Sequence, residues 1–169
     1  LLDGQPCIGT PTLTDIDGNT YNTVQIGTQC WMKENLRTTK YANGGGIPLG
    51  TTTNLYLPYR YYPNNDQNNV ATYGYLYNWK AVMENATSSN TNPSGVQGVC
   101  PTGWHVPSHA EWTQLTDYVR SVNLYLCNAD ADFIAKAFAA SLDWNSSTGT
   151  WHIGNTLSAN NAKIGRASC

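Results

Sequence analysis

Residues 100–112 read CPTGWHVPSHAEW, and this stretch constrains the fold more than any other. Pro107 disfavours helix in the residue before it. Ser108-His109-Ala110-Glu111 then matches a capping box. In that motif the Ser108 hydroxyl accepts from the Glu111 N–H, and the Glu111 carboxylate accepts from the Ser108 N–H. Trp112, Leu115, Tyr118 and Val119 follow at three- and four-residue intervals, the spacing of one helix face. The stretch is therefore read as a strand-to-helix corner built from Trp104, Pro107, Ser108, Glu111 and Trp112. Trp104 and Trp112 are expected to be buried, with Trp112 as the first core residue of the helix.

Upstream, residues 12–32 alternate apolar and polar side chains around Asp17-Gly18, a strong hairpin signal. Asp15, Asp17 and Asn19 also resemble the start of a calcium loop. That motif needs Gly at its sixth position and Glu at its twelfth, and Ile26 stands at the twelfth, so the turn is preferred. Residues 42–72 read as loop, with Gly44-Gly45-Gly46, a threonine run and YLPYRYYPNNDQNN. Tyrosines beside amides and a carboxylate suit a sugar: the rings stack on apolar pyranose faces and the polar groups take hydroxyls. Tyr59, Arg60, Tyr61, Tyr62, Asn65 and Asp66 are the candidate ligand contacts. The alternative is that these rings simply cover a long loop.

Residues 73–83, YGYLYNWKAVM, pass from strand-like alternation to helical spacing at Trp79, Val82 and Met83. Residues 85–98 read as an exposed connection. Asn85-Ala86-Thr87 and Asn145-Ser146-Ser147 match the N-glycosylation pattern. A second helix is expected from Asn128 or Asp130 to about Asp143, with Phe133, Ile134, Ala137 and Phe138 on its buried side. Trp151-His152-Ile153 reads as a short strand.

Only 12% of residues are charged, about half the usual share, so the polar surface rests on Asn, Thr, Ser, Gly and Tyr. That balance suits secreted and cell-surface proteins. The net charge is −2 and no basic run occurs, so nucleic acid is not an expected partner. No apolar run is long enough for a membrane span. The opening Leu1-Leu2-Asp3-Gly4 has neither the basic nor the apolar region of a signal peptide, so an exported chain is expected in processed form. Cys7, Cys30, Cys100, Cys127 and Cys169 form no Cys-x-x-Cys pair and stand at no zinc spacing from a histidine. Disulfides in an oxidising compartment are the better reading, and no metal or cofactor is expected. Catalysis is not expected either. Cys100 and His105 lack a positioned third group, Glu111 is taken by the cap, and no Gly-rich phosphate loop follows a strand.

Three ordered segments carry a family resemblance: TDIDGNTYNTVQIGTQCWMKENLRTTKY, YGYLYNW and GVCPTGWHVPSHAEW. Together they resemble the Fibrobacter succinogenes major paralogous domain, common in secreted and surface proteins of Bacteroidetes and Fibrobacteres. The corner also resembles that of formylglycine-generating-enzyme-like proteins. The resemblance implies an α+β, C-type-lectin-like fold with short irregular strands, two packed helices and long loops. It does not imply the oxidase chemistry, which needs a late cysteine site absent from this sequence. It divides the chain into an N-terminal extension (1–11), the domain (12–160) and an atypical end (161–169).

Members usually continue past SANNA with an aromatic, Gly/Ser-rich region and a closing strand ending in Val-Arg-Cys. Here KIGRASC stands instead, so the sequence reads as a fragment, an incomplete reading, or a subunit completed by another chain that covers an open sheet edge. If Cys169 takes the place of the closing cysteine, it pairs with Cys100. Cys7 and Cys30 then form the second pair across the hairpin, and Cys127 is the odd thiol.

The expected function is a non-catalytic, extracellular or cell-surface recognition module that binds glycan or protein through its loops. The alternative is a structural subunit of a surface appendage or secreted assembly, completed by neighbouring copies.

Overall fold

The computed structural model describes residues 4–122 and Ile134. These residues form a small α+β unit. A three-stranded antiparallel sheet contains β1 (Thr12–Thr14), β2 (Thr20–Ile26) and β3 (Gln29–Met32) in chain order. A two-stranded antiparallel ribbon pairs β4 (Arg60–Tyr61) with β5 (Leu76–Tyr77). Between those two strands lie two 3-10 turns and the short helix α1 (Val70–Tyr73). Helix α2 (Trp79–Met83) follows β5, and α3 (His109–Ser121) is the longest described helix.

The Asp17-Gly18 hairpin forms as its sequence predicts, with Thr14 opposite Thr20. Asp15 holds the turn. Its Oδ1 accepts from the Asp17 N–H at 3.0 Å and the Asn19 N–H at 2.9 Å, and its Oδ2 accepts from the Tyr21 hydroxyl at 2.6 Å. The acidic triplet is therefore turn chemistry. Asp17 reaches outward, accepting from the Thr39 N–H and hydroxyl and meeting the Lys40 ammonium at 3.2 Å.

Strands β2 and β3 are covered on both faces. Tyr21 and Met32 point into one apolar cluster, with Leu13, Leu36, Tyr41, Ile47, Ala81, Val99 and Cys100. Val24, Ile26 and Trp31 point to the other side, where they meet Leu115 and Val119 of α3. Alternate residues of a strand face opposite ways, so one hairpin serves two cores. The buried tyrosine needs a hydrogen-bonded hydroxyl: Tyr21 donates to Asp15 and accepts the Arg37 N–H at 2.8 Å.

A disulfide joins Cys7 to Cys30, with Cα atoms 5.8 Å apart. It ties the N-terminal segment to β3, alongside a hydrogen bond from the Gln25 N–H to the Gln5 carbonyl. Cys100 is also disulfide-bonded. Cys127 and Cys169 lie outside the described residues, as do the expected strand at 151–153 and, apart from Ile134, the expected second helix.

The capping box at the head of α3 is complete. Ser108 Oγ accepts from the Glu111 N–H at 3.1 Å, and Glu111 Oε2 accepts from the Ser108 N–H at 2.9 Å. The burial expected of the two tryptophans is corrected. Trp104 is half-buried, and Trp112 is 39% exposed. The buried positions of α3 are Glu111, Leu115 and Val119, one stripe at four-residue spacing. The cap pulls Glu111 inward, which turns Trp112 to the flank of the helix. There its ring packs on Trp31, centroids 4.9 Å apart. Trp79, Val82 and Met83 lie on helix α2 as their spacing predicts; Ala81 and Met83 are its buried residues, and Trp79 stands out in solvent.

Candidate functional site

The predicted contact residues fall on and around the β4–β5 ribbon, where most of them are engaged with the body of the domain. The Arg60 guanidinium lies 5.1 Å from the Tyr75 ring centroid, and its Nη1 donates to the Ile47 carbonyl. The Tyr61 hydroxyl donates to the Thr52 carbonyl at 3.2 Å and accepts the Asn54 N–H at 3.3 Å. Tyr62 stacks on Tyr75 at 5.9 Å, and Tyr59 packs against Tyr61 at 6.3 Å. Asp66 caps the second 3-10 turn by accepting from the Asn68 N–H. Asn65 occupies a left-handed turn position, φ 56°, and is exposed. The four aromatic and basic side chains are half-buried, while Asn65 and Asp66 are exposed.

The residues presented most openly lie just upstream. Leu55 is 73% exposed, Tyr56 84% and Leu57 54%. Trp79, at 63%, follows Asn78, which holds this loop. The loop is fixed despite its exposure. Asn54 Oδ1 accepts from the Tyr56 and Leu57 N–H groups at 2.8 and 2.9 Å. Asn78 Nδ2 donates to the Asn54 and Leu57 carbonyls, both at 2.7 Å. Asn78 Oδ1 accepts from the Tyr59 N–H at 3.1 Å and, as the cap of α2, from the Ala81 N–H at 3.0 Å. All four hydrogen-bonding positions of one side-chain amide are thus used, which is its full capacity.

Sequence reading placed the contact surface at 56–69 but singled out the tyrosines on the ribbon. The signal for the better-exposed residues is Asn54-Leu55-Tyr56-Leu57-Pro58, an apolar triplet inside a Thr/Asn loop and bounded by Asn and Pro. An apolar run with neither helical nor strand neighbours has no core of its own to enter.

At the α3 corner, His105 Nε2 lies 2.6 Å from Glu111 Oε1. Glu111 Oε2 also accepts from the Ser94 N–H at 3.1 Å. Burial alone would raise the Glu111 carboxyl. The Ser108 N–H, the hydrogen bond and charge of His105 and the Ser94 N–H outweigh it and hold the group below its ordinary value. The corner carries the complete capping box and also forms the wall of a hollow lined by Trp31, Trp104, His105 and Glu111. Among the described residues no three His, Cys, Asp or Glu side chains gather as a metal site, and no helix is long and apolar enough to cross a membrane.

These features define an α+β domain with a disulfide-tied hairpin, a capped corner and a rigid apolar loop turned to solvent. The chain belongs to the Fibrobacter succinogenes major domain family, whose model matches residues 24–165. No curated protein and no solved structure matches the chain.

Proposed function

We propose that this chain is a non-catalytic recognition module of the cell surface or extracellular space, with a C-type-lectin-like arrangement of loops, and that it binds glycan or protein partners. The observation that carries this reading is the locked loop 54–57, which holds Leu55, Tyr56 and Leu57 in solvent. A cluster of exposed large apolar side chains on a folded domain marks an interaction surface. Rigidity adds to the argument, because a contact loop ordered in advance loses less entropy on binding. The Cys7–Cys30 disulfide and the low charge content support an oxidising location. The ribbon tyrosines act mainly as the support beneath this edge, with Asn65 and Asp66 at its periphery.

The same edge also suits packing between copies, the reading as a structural subunit. Light scattering after size exclusion separates the two readings, combined with retention on glycan arrays and immobilised cell-surface proteins. The wild type is expected to be monomeric and retained. The L55S/Y56S/L57S variant is expected to fold equally well and to lose retention. Assemblies that dissolve in that variant would favour the subunit. Retention unchanged by the substitutions would overturn the assignment of the contact edge.

A further inference from the structure

We propose that the hollow beside the 104–111 corner is a binding site for a single neutral sugar ring, independent of the 54–57 loop. Its volume is about 350 Å³, at the small end of the range for small-molecule sites, roughly 300–1,000 Å³. That size suits one ring. The half-buried Trp104 supplies apolar ring surface with the buried Trp31 behind it, and Gln29, His105 and Thr10 supply polar atoms.

The polar atoms on offer decide the ligand class. Both Glu111 oxygens are committed: Oε1 to His105 at 2.6 Å, and Oε2 to the Ser94 and Ser108 N–H groups. A carboxylate can only accept, so Nε2 of His105 donates to Glu111 and Nδ1 is the ring nitrogen left for a ligand. Gln29 Nε2 donates to the Glu111 backbone carbonyl at 3.0 Å, which leaves Oε1 as an acceptor. The exposed Thr10 adds a hydroxyl. Among the described residues, His105 Nδ1, Gln29 Oε1 and Thr10 Oγ1 have no hydrogen-bond partner.

The hollow therefore offers an imidazole nitrogen, an amide oxygen, a hydroxyl and indole surface. No Lys or Arg lines it, so nothing recognises an anion, and its one carboxylate is already neutralised by three donors. Sugar hydroxyls, which both donate and accept, around an apolar ring face meet every one of these demands. The capping glutamate thus has a second role as a positioning residue, because it holds the imidazole with Nδ1 free.

The test is a titration of the isotope-labelled full chain, followed through the tryptophan indole N–H resonances. The probes are glucose, galactose, mannose and N-acetylglucosamine, with tetramethylammonium and inorganic phosphate as charged controls. At least one neutral sugar is expected to shift the Trp31 and Trp104 signals, saturating at roughly millimolar concentration. Thr10→Val and Gln29→Ala are each expected to weaken binding roughly five- to tenfold, the scale of one lost hydrogen bond. Thr10 is exposed and its hydroxyl supports nothing else, so that variant keeps the fold intact. The L55S/Y56S/L57S variant is expected to bind the sugar normally, whatever its effect on partner retention. The proposal is overturned if no neutral sugar shifts these signals. It is equally overturned if affinity is unchanged in both Thr10→Val and Gln29→Ala, or if a charged control saturates the hollow instead.

Discussion

Glu111 reaches back to Ser94: its Oε2 accepts the Ser94 N–H at 3.1 Å across 17 residues of chain. One carboxylate thereby closes the cap of α3, fixes the segment that enters the corner and holds His105. Glu111→Ala is expected to destabilise the domain by roughly 3 kcal/mol, because two backbone donors and an imidazole lose their acceptor in a buried place. Ser108→Ala removes only one capping bond and is expected to cost about 1 kcal/mol. Urea unfolding of the two variants checks both the order and the gap.

The same carboxylate makes stability depend on acid. Its folded value lies below the ordinary 4.5, so the folded chain binds the proton less readily than the unfolded one. The contribution is complete above 4.5 and is lost as pH falls through the lower folded value. Asp17, also held low, acts in the same direction: burial opposes the shift, and the Thr39 and Lys40 contacts outweigh it. Glu111→Gln is expected to flatten the acid limb of a stability-against-pH curve without abolishing it. A limb of unchanged slope in that variant would remove Glu111 from the account.

Gly98 sits against the Val82 carbonyl in a left-handed conformation, φ 52°, and a methyl group there would overlap that oxygen and crowd Val106. The Val99 N–H donates to the same carbonyl at 2.9 Å, so the two segments cannot separate freely. Gly98→Ala is expected to cost roughly 3 kcal/mol or more. Gly44→Ala, with positive φ but open space around it, should cost less. Thermal unfolding of the pair separates steric overlap from backbone strain.

Removing the Cys7–Cys30 bridge, by Cys7→Ser with Cys30→Ser, is expected to lower stability by roughly 3 kcal/mol, the chain-entropy scale for a loop of this length. Chemical denaturation of the double variant measures it. Because Thr23 Oγ1 still accepts the Cys7 N–H, and Gln25 still pairs with Gln5, the segment should remain docked in the folded state.

Local chemistry was legible where neighbours in sequence are neighbours in space. Asp17-Gly18 and Ser108–Glu111 each complete their hydrogen bonds within a few residues, so the pattern alone implies the geometry. The role of Trp112 was not legible. Its three-residue step to Leu115 fits a helix face, but the buried stripe runs through Glu111, Leu115 and Val119, and the partners that select it, Val24, Ile26 and Trp31, are distant in sequence. The packing of Tyr59, Arg60, Tyr61 and Tyr62 was not legible for a similar reason. Tyr75, which meets Tyr62 and Arg60, and the Ile47 and Thr52 carbonyls, which accept from Arg60 and Tyr61, arrive from segments that no local spacing connects to them. The hollow beside His105 was invisible for the same cause, since Thr10, Gln29 and Trp104 meet only in the folded chain.

The Asn78 clasp touches residues 55–57 through their backbone alone. Their side chains are consequently replaceable parts on a fixed mount. New side chains at Leu55, Tyr56 and Leu57 change what the edge recognises while the hydrogen bonds that hold its shape stay in place. Asn54 and Asn78 have no such latitude, because every bond in the clasp depends on their amides. A scaffold organised in this way separates the inheritance of a fold from the choice of a partner, so duplicated copies can diverge in specificity without refolding.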